Sequence, residues 1–398
     1  MAYGTCPRSA GAQAGYRGAM ARANLHRLAL AVTLLPASVF AQRAWIVDAA
    51  NGPGTDFTDL PPALRAVAAG DRIQIRRGGY RGGTLRQPVR IVAEPGVALE
   101  GGTLLVERLP TGSRCEIVGV DVAPLFGDAI HLRDNRGVVV LHDITRFGCC
   151  GVTVRITDCD LVVLSGAIED VIAKDSSVVI GSAVITSDAD SRAAYSAENC
   201  ATWVTDAVLI GGPSAASGNP FALGPGSGIT AIDGTLRIAG SVSIQAGPSV
   251  GQNSRPACGL SVLRTVVELD PAVTITGALG PPVCNGGQVT YTSVPGTGVR
   301  GGDLGGVLFA TLGAPAGRIA AIFASLGATP TPTPFGLLLL DPVGLQTLAT
   351  GTTAAHGLVS PTIPVPPDPT LAGTPLFVQG VVLLPGLTLA LPTSVVLG

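Results

Sequence analysis

The chain has 398 residues, a formal net charge of −2 at pH 7, 13% charged and 4% aromatic residues, and 54 glycines and 31 prolines. So balanced a charge exerts no strong pull on nucleic acid or an anionic membrane surface, and neither partner is expected. A positive mean hydropathy with no long unbroken apolar run excludes a helical membrane span and points to an all-β chain punctuated by turns.

Residues 1–41 read as a leader (signal peptide) with Met20 as the start. Arg22, His26 and Arg27 form a basic region, 28–35 an apolar run too short to cross a bilayer, and Val39-Phe40-Ala41 a small-residue cleavage signal before Gln42. The expectation is a secreted or cell-surface protein. Further on, Leu60, Leu64 and Val67 recur at helical spacing, with Asp59 placed to cap, Pro61 and Pro62 in the first turn and Gly70 as the stop. Arg72, Ile73, Gln74 and Ile75 then alternate as a strand. A short amphipathic helix here seals the end of a stack of strands.

The segment resembles the opening of right-handed parallel β-helix proteins of the pectin-lyase-like superfamily. The matching residues are Thr55, Asp56, Phe57, Leu60, Ala63, Leu64, Val67, Gly70, Asp71, Ile73, Ile75, Gly78 and Tyr80. The resemblance implies a fold and no particular activity, because that superfamily holds lyases, hydrolases, isomerases and adhesins alike.

Short strand-like runs fill 89–122, and six copies of one unit follow, beginning at Ile130, Val154, Val171, Tyr195, Ile229 and Leu260. Each has an alternating run, a polar turn, a run rich in Val, Ile and Leu, a small-residue break and a short apolar run. Period-two alternation favours strands over helical repeats, and a unit this short must stack on neighbours to bury its apolar face. Glu169-Asp170 alone joins the second and third copies, whereas 211–228 and 245–259 are long connections expected side by side on one binding face. The Gly-rich 293–306 reads as a linker. From 307 to 398, Pro-punctuated strands predict a small β-sandwich. Its LDP motif at 340–342 and the run IPVPPDPTLAGTPLFVQ at 363–379 resemble a C-terminal domain carried by exported proteins of planctomycete-like and myxobacterium-like bacteria. The expected architecture is all-β: a right-handed parallel β-helix over 42–292 with an N-terminal capping helix, then this C-terminal β-sandwich.

Seven of the eight cysteines, Cys115, Cys149, Cys150, Cys159, Cys200, Cys258 and Cys284, follow the leader, and Cys6 lies within it. An exported chain permits disulfides, and Cys258 and Cys284, each just before a repeat strand in adjacent copies, are the first expected pair. No C-x-x-C pair occurs and His26, His131, His142 and His356 do not cluster, which argues against zinc.

Aligning the copies places Asp134, Asp158, Asp175, Asn199 and Asp233 in one column closed by Arg264. Two readings follow. As Asx turn formers they bend every copy at the same place. As hard oxygen ligands Asp134, Asp158, Asp175 and Asp233 could hold Ca2+, which the resemblance to pectate-lyase-type proteins implies, with Asp158, Asp175, Lys174, Arg155 or Arg133 acting on an acidic sugar. His142-Asp143 beside Arg146 is a further acid–base pair, more often a solvated edge. Neither the paired-aspartate and Gly-His-Gly signatures of polygalacturonase-like hydrolases nor the W-x-D-H stretch of pectate lyases is present.

The function expected from sequence is therefore a binding or structural module toward extracellular polysaccharide. It would act through the two long connections, where Phe221 and Asn219 are candidate contacts, with Trp203 read as core. A polysaccharide lyase or glycoside hydrolase using the acidic column, and a passive surface spacer, are the alternatives.

Overall fold

The computed structural model describes residues 43–123, 128–146, 152–187, 192–213, 225–248, 256–354, 357–360, 362–384 and 386–397. All of them lie in the compact unit Gln42–Gly398. The expected leader, and the candidate contacts Asn219 and Phe221, lie outside the described residues.

The opening segment folds around buried Asp71. Its carboxylate accepts from Trp45 Nε1 at 2.8 Å and from the Ala68 amide at 2.9 Å, tying the strand Ala44–Val47 to the turn before Arg72–Ile75. The helix is Leu60–Ala66: the Asp59 carboxylate takes the Leu60 N–H at 2.8 Å, and Leu60, Ala63 and Leu64 are buried. It stops earlier than the spacing suggests, because Val67 is already extended and only its N–H returns to Ala63. Gly70, at φ +88°, serves the next turn instead.

The six copies align as their sequences do. Ile130, Val154, Val171, Tyr195, Ile229 and Leu260 are mutual neighbours in direct parallel register, and all are fully buried. Each such side chain contributes about 1.5–3 kcal/mol by leaving water. Inside the same core the Tyr195 hydroxyl meets Thr202 Oγ1 at 2.9 Å, which satisfies a polar group that burial otherwise penalises. Ion pairs on the outer surface run between neighbouring strands: Lys174 with Glu198 at 2.7 Å, Arg264 with Asp233 at 2.6 Å, and Arg86 and Arg133 on buried Glu107. Those two guanidiniums, Arg133 first, hold the Glu107 carboxyl below the usual range.

Closure of the sheet corrects the expected architecture. Among the described residues the parallel strands form one 20-stranded sheet. It closes into a six-strand parallel barrel with further strands outside it, and a right-handed β-helix solenoid is not what this pairing describes. Alternation and register fix which face is buried and which strands are neighbours. They carry no information on how the sheet closes.

The C-terminal part also differs from a simple β-sandwich behind a linker. The strand Gly296–Gly301 lies within the expected linker and pairs antiparallel with Val307–Gly313. Small residues without side-chain bulk there allow the chain to press against the parallel sheet, where Gly296 sits against Ala239 and Thr205. Three antiparallel sheets result among the described residues, of four, five and two strands. The first two share a core built on Val299, Leu308, Leu312, Ile322, Val378 and Val382. The third, the hairpin Ala328–Thr333 with Gly336–Leu340, packs Leu339 and Leu340 with Phe377 on Val138, Val140, Leu161 and Val163 of the parallel sheet.

Candidate binding groove

The acidic column is a turn. Asp134, Asp158, Asp175, Asn199, Asp233 and Arg264 have φ of 55°, 50°, 49°, 51°, 49° and 49°. This left-handed conformation suits Asp and Asn better than most side chains. Their side chains are engaged with neighbours. Arg136 grips Asp158 at 3.1 Å and Asp160 at 3.0 Å, Asn199 donates to Asp175 at 2.7 Å, and Arg264 takes both oxygens of Asp233. Arg264, hydrogen-bonded to it, holds Asp233 below the usual carboxylate range. Lys174 is bound to Glu198, which raises its ammonium pKa, and Arg155 to Asp128 at 2.7 Å. Among the described residues no three acids, histidines or cysteines converge on a common point.

Directly after the turn residues a small side chain follows, except after Asp233, where Gly234 stands, and several of these side chains satisfy the backbone of the bend. Fully buried Asn135 takes the Leu109 N–H at 3.1 Å and donates to the Val106 carbonyl at 3.0 Å. Ser176 Oγ receives the Cys159 N–H at 3.0 Å, the Cys200 thiol reaches Glu198 O, and Thr265 Oγ1 reaches Ala231 O at 3.1 Å. Burial pushes the Cys159 and Cys200 thiols up, which makes them packing residues rather than nucleophiles. We expect Asp175→Gly to retain stability within a few tenths of a kcal/mol and Asp175→Ala to lose about 1–2 kcal/mol, measured by urea unfolding. A metal-ligand role would make both variants lose equally, since neither carries an oxygen ligand.

A second bend, which the copies show only as a small-residue break, is also left-handed: Asp143 at φ 49°, Gly166 at 69°, Ser182 at 49°, Asp206 at 48° and Gly240 at 75°. Here His142 Nε2 lies 3.0 Å from Asp143 Oδ2 and its Nδ1 lies 3.0 Å from Ser165 Oγ. The connectivity is that of a proton relay, and the hydrogen bond to His142 lowers the Asp143 pKa. Ser165 is fully buried, however, so the relay presents no nucleophile to solvent. Nearby Asp206 accepts from Ser182 at 3.3 Å, and burial raises its pKa.

A groove lies where the hairpin meets the parallel sheet. In the strand Ala201–Ile210, Thr202 and Val204 face the core, so Trp203 faces outward. Its neighbours in register are Arg237 and then Glu268, about 4.8 Å apart from strand to strand. Arg237 Nε is 2.9 Å from Glu268 Oε2 and its Nη2 3.2 Å from Oε1, so the two charges cancel on the groove floor. Across from them, Phe335 stands 46% exposed at the tip of the hairpin. Its N–H is held by Thr333 Oγ1 at 3.2 Å and its carbonyl by the Leu389 N–H at 3.0 Å. Buried Gln379 fixes the hairpin by accepting from the Leu339 amide and donating to the carbonyls of Leu337 and Ala390. The open groove has a volume of about 720 Å³, with Ser177 and Thr292 adding hydroxyls to its lining.

Trp203, read from sequence as core, is thus half-buried at the groove's floor. Phe335 went unnoticed because Trp203, on the other element of the groove, lies more than a hundred residues away, with only an aromatic between a Thr-Pro run and a glycine as a signal. No family model matches the chain, and no curated protein is similar to it.

Proposed function

We propose that the protein is an exported, secreted or cell-surface module that binds neutral segments of extracellular polysaccharide in the Trp203 groove. The observation that carries this reading is that two aromatic residues, Trp203 and Phe335, line one groove together with a self-neutralised Arg237–Glu268 pair. Aromatic side chains present large apolar faces against which the C–H faces of sugar rings pack, and hydroxyl, guanidinium and carboxylate groups hydrogen-bond the sugar edges. With its cation already matched, the floor offers no uncompensated charge to draw a uronate. Export is supported by the leader-like start and by the Cys258–Cys284 disulfide, a bond that persists in oxidising compartments. Among the described residues no helix is long and apolar enough to cross a membrane.

The chain has two tryptophans, Trp45 and Trp203. In a Trp45→Phe background, titration with neutral oligosaccharides is expected to shift Trp203 emission. Trp203→Ala should weaken binding, followed by calorimetry, at least about tenfold. Tighter, salt-sensitive binding of oligouronates would reverse the assignment of ligand charge. Absence of binding to every glycan tested would leave the protein a spacer.

A further inference from the structure

A second cavity, of about 650 Å³, opens where bends of the parallel sheet meet the strands Gly296–Gly301 and Val307–Gly313. Thr205-Asp206 and Gly240-Ser241 line it from the bends, and Gly296, Gly298 and Arg300 from the first of those strands. Two carboxylates reach it, and they differ in kind. Asp270 is satisfied by the fold, accepting the N–H groups of Ala272 at 2.9 Å and Val294 at 3.2 Å. Asp206 is not. Asp143, at the same bend of an earlier copy, takes the Ala167 N–H at 2.8 Å, whereas among the described residues no backbone amide donates to Asp206. It accepts from Ser182, whose single hydroxyl proton lies between Asp206 at 3.3 Å, the Val299 carbonyl at 3.3 Å and Thr393 Oγ1 at 3.2 Å. Half-buried and so thinly bonded, the Asp206 carboxyl has its pKa raised by burial.

An opposite charge lines the same cavity without closing on it. The exposed Arg300 guanidinium makes no hydrogen bond or ion pair among the described residues and acts on Asp206 only through space. Glycine keeps the room in front of the carboxylate open: a Cβ on Gly298 would stand 3.6 Å from Asp206 Cγ and 2.8 Å from Thr311 Oγ1. The remaining lining is Gly, Ala, Pro, Val, Ser and Thr, without charge. Ser293 and Val294 border the Trp203 groove as well, but none of that groove's rings or charges enters here.

We propose that this cavity binds a small zwitterion, a short peptide with free ends, its ammonium on Asp206 and its carboxylate on Arg300. Two unpaired charges of opposite sign held apart are complementary to a ligand whose own charges are held apart, and each end gains a charge-assisted hydrogen bond. A cavity of this volume takes a molecule rather than a lone ion.

Calorimetric titration of the full chain with triglycine should show saturable binding at millimolar concentration. Blocking one end, as acetyl-triglycine or as triglycine amide, should weaken binding at least about tenfold. Asp206→Asn, which keeps a residue suited to the left-handed bend, should weaken triglycine by a similar factor and leave acetyl-triglycine unaffected. Arg300→Gln should weaken triglycine and leave the amide unaffected. Both variants should keep the wild-type circular dichroism spectrum. No saturable binding of triglycine, blocked peptides that bind as well as the free one, or variants that treat all three peptides as the wild type does would each overturn the proposal.

Discussion

Arg146→Met is expected to cost about 3–5 kcal/mol of stability, read as a lower urea midpoint at unchanged slope. The Arg146 side chain has no solvent exposure, and its Nη1 lies 2.6 Å from Asp170 Oδ2, itself 2% exposed. Nε lies 3.5 Å from Glu169 Oε2, and burial raises the pKa of that second carboxyl. Methionine matches much of the arginine stem in volume, so the loss reports charge more than shape. It leaves the Asp170 carboxylate in a site with little water and without the guanidinium beside it. Arg146→Met/Asp170→Asn should recover most of the loss, since an amide carries no charge to bury. If the double variant stays as unstable as the single one, packing rather than charge balance governs this corner.

Phe377→Ala is expected to cost about 3–5 kcal/mol and to loosen the C-terminal sheets from the parallel sheet. Phe377 is fully buried in the cluster that joins the two, and the Arg114 guanidinium stacks 4.7 Å from its ring centre. Arg114 also donates to the carbonyls of Leu326 and Pro375, while Arg90, the other cation beside Glu116, donates to Ala372. Burial raises the Glu116 pKa and lowers those of both arginines. Removing the ring opens a cavity at the centre of this seam and exposes the arginine face to water. Limited proteolysis should then release a C-terminal fragment from Phe377→Ala under conditions that leave the wild type whole. Loss of stability with unchanged resistance to protease would place the effect within the five-stranded sheet instead.

The sequence was informative wherever one residue decides a local conformation. Asp59 as cap, the start of each copy, and the turn role of Asp134, Asp158, Asp175 and Asn199 follow from alternation and side-chain chemistry, and the backbone bears them out. Cys258 and Cys284 are likewise joined. Closure of the parallel sheet was not legible, because period-two patterning is the same for a coil and a barrel. Nor was the strand Gly296–Gly301, whose glycines read as a linker but serve close packing. The groove escaped for a similar reason: Trp203 resembles any core aromatic until the hairpin carrying Phe335 is folded against it.

The spacing of contacts along the chain orders its assembly in time. Neighbouring strands of the parallel sheet lie a few tens of residues apart, so each can add to its predecessor as soon as it is available. The seam does not work this way: Arg114 meets Leu326 across 212 positions, and Arg90 meets Ala372 across 282. Until those last residues arrive, the outward row of Val138, Val140, Leu161 and Val163 stays bare. A growing chain therefore carries a folded parallel sheet with one greasy flank, and the C-terminal sheets are the shield that covers it.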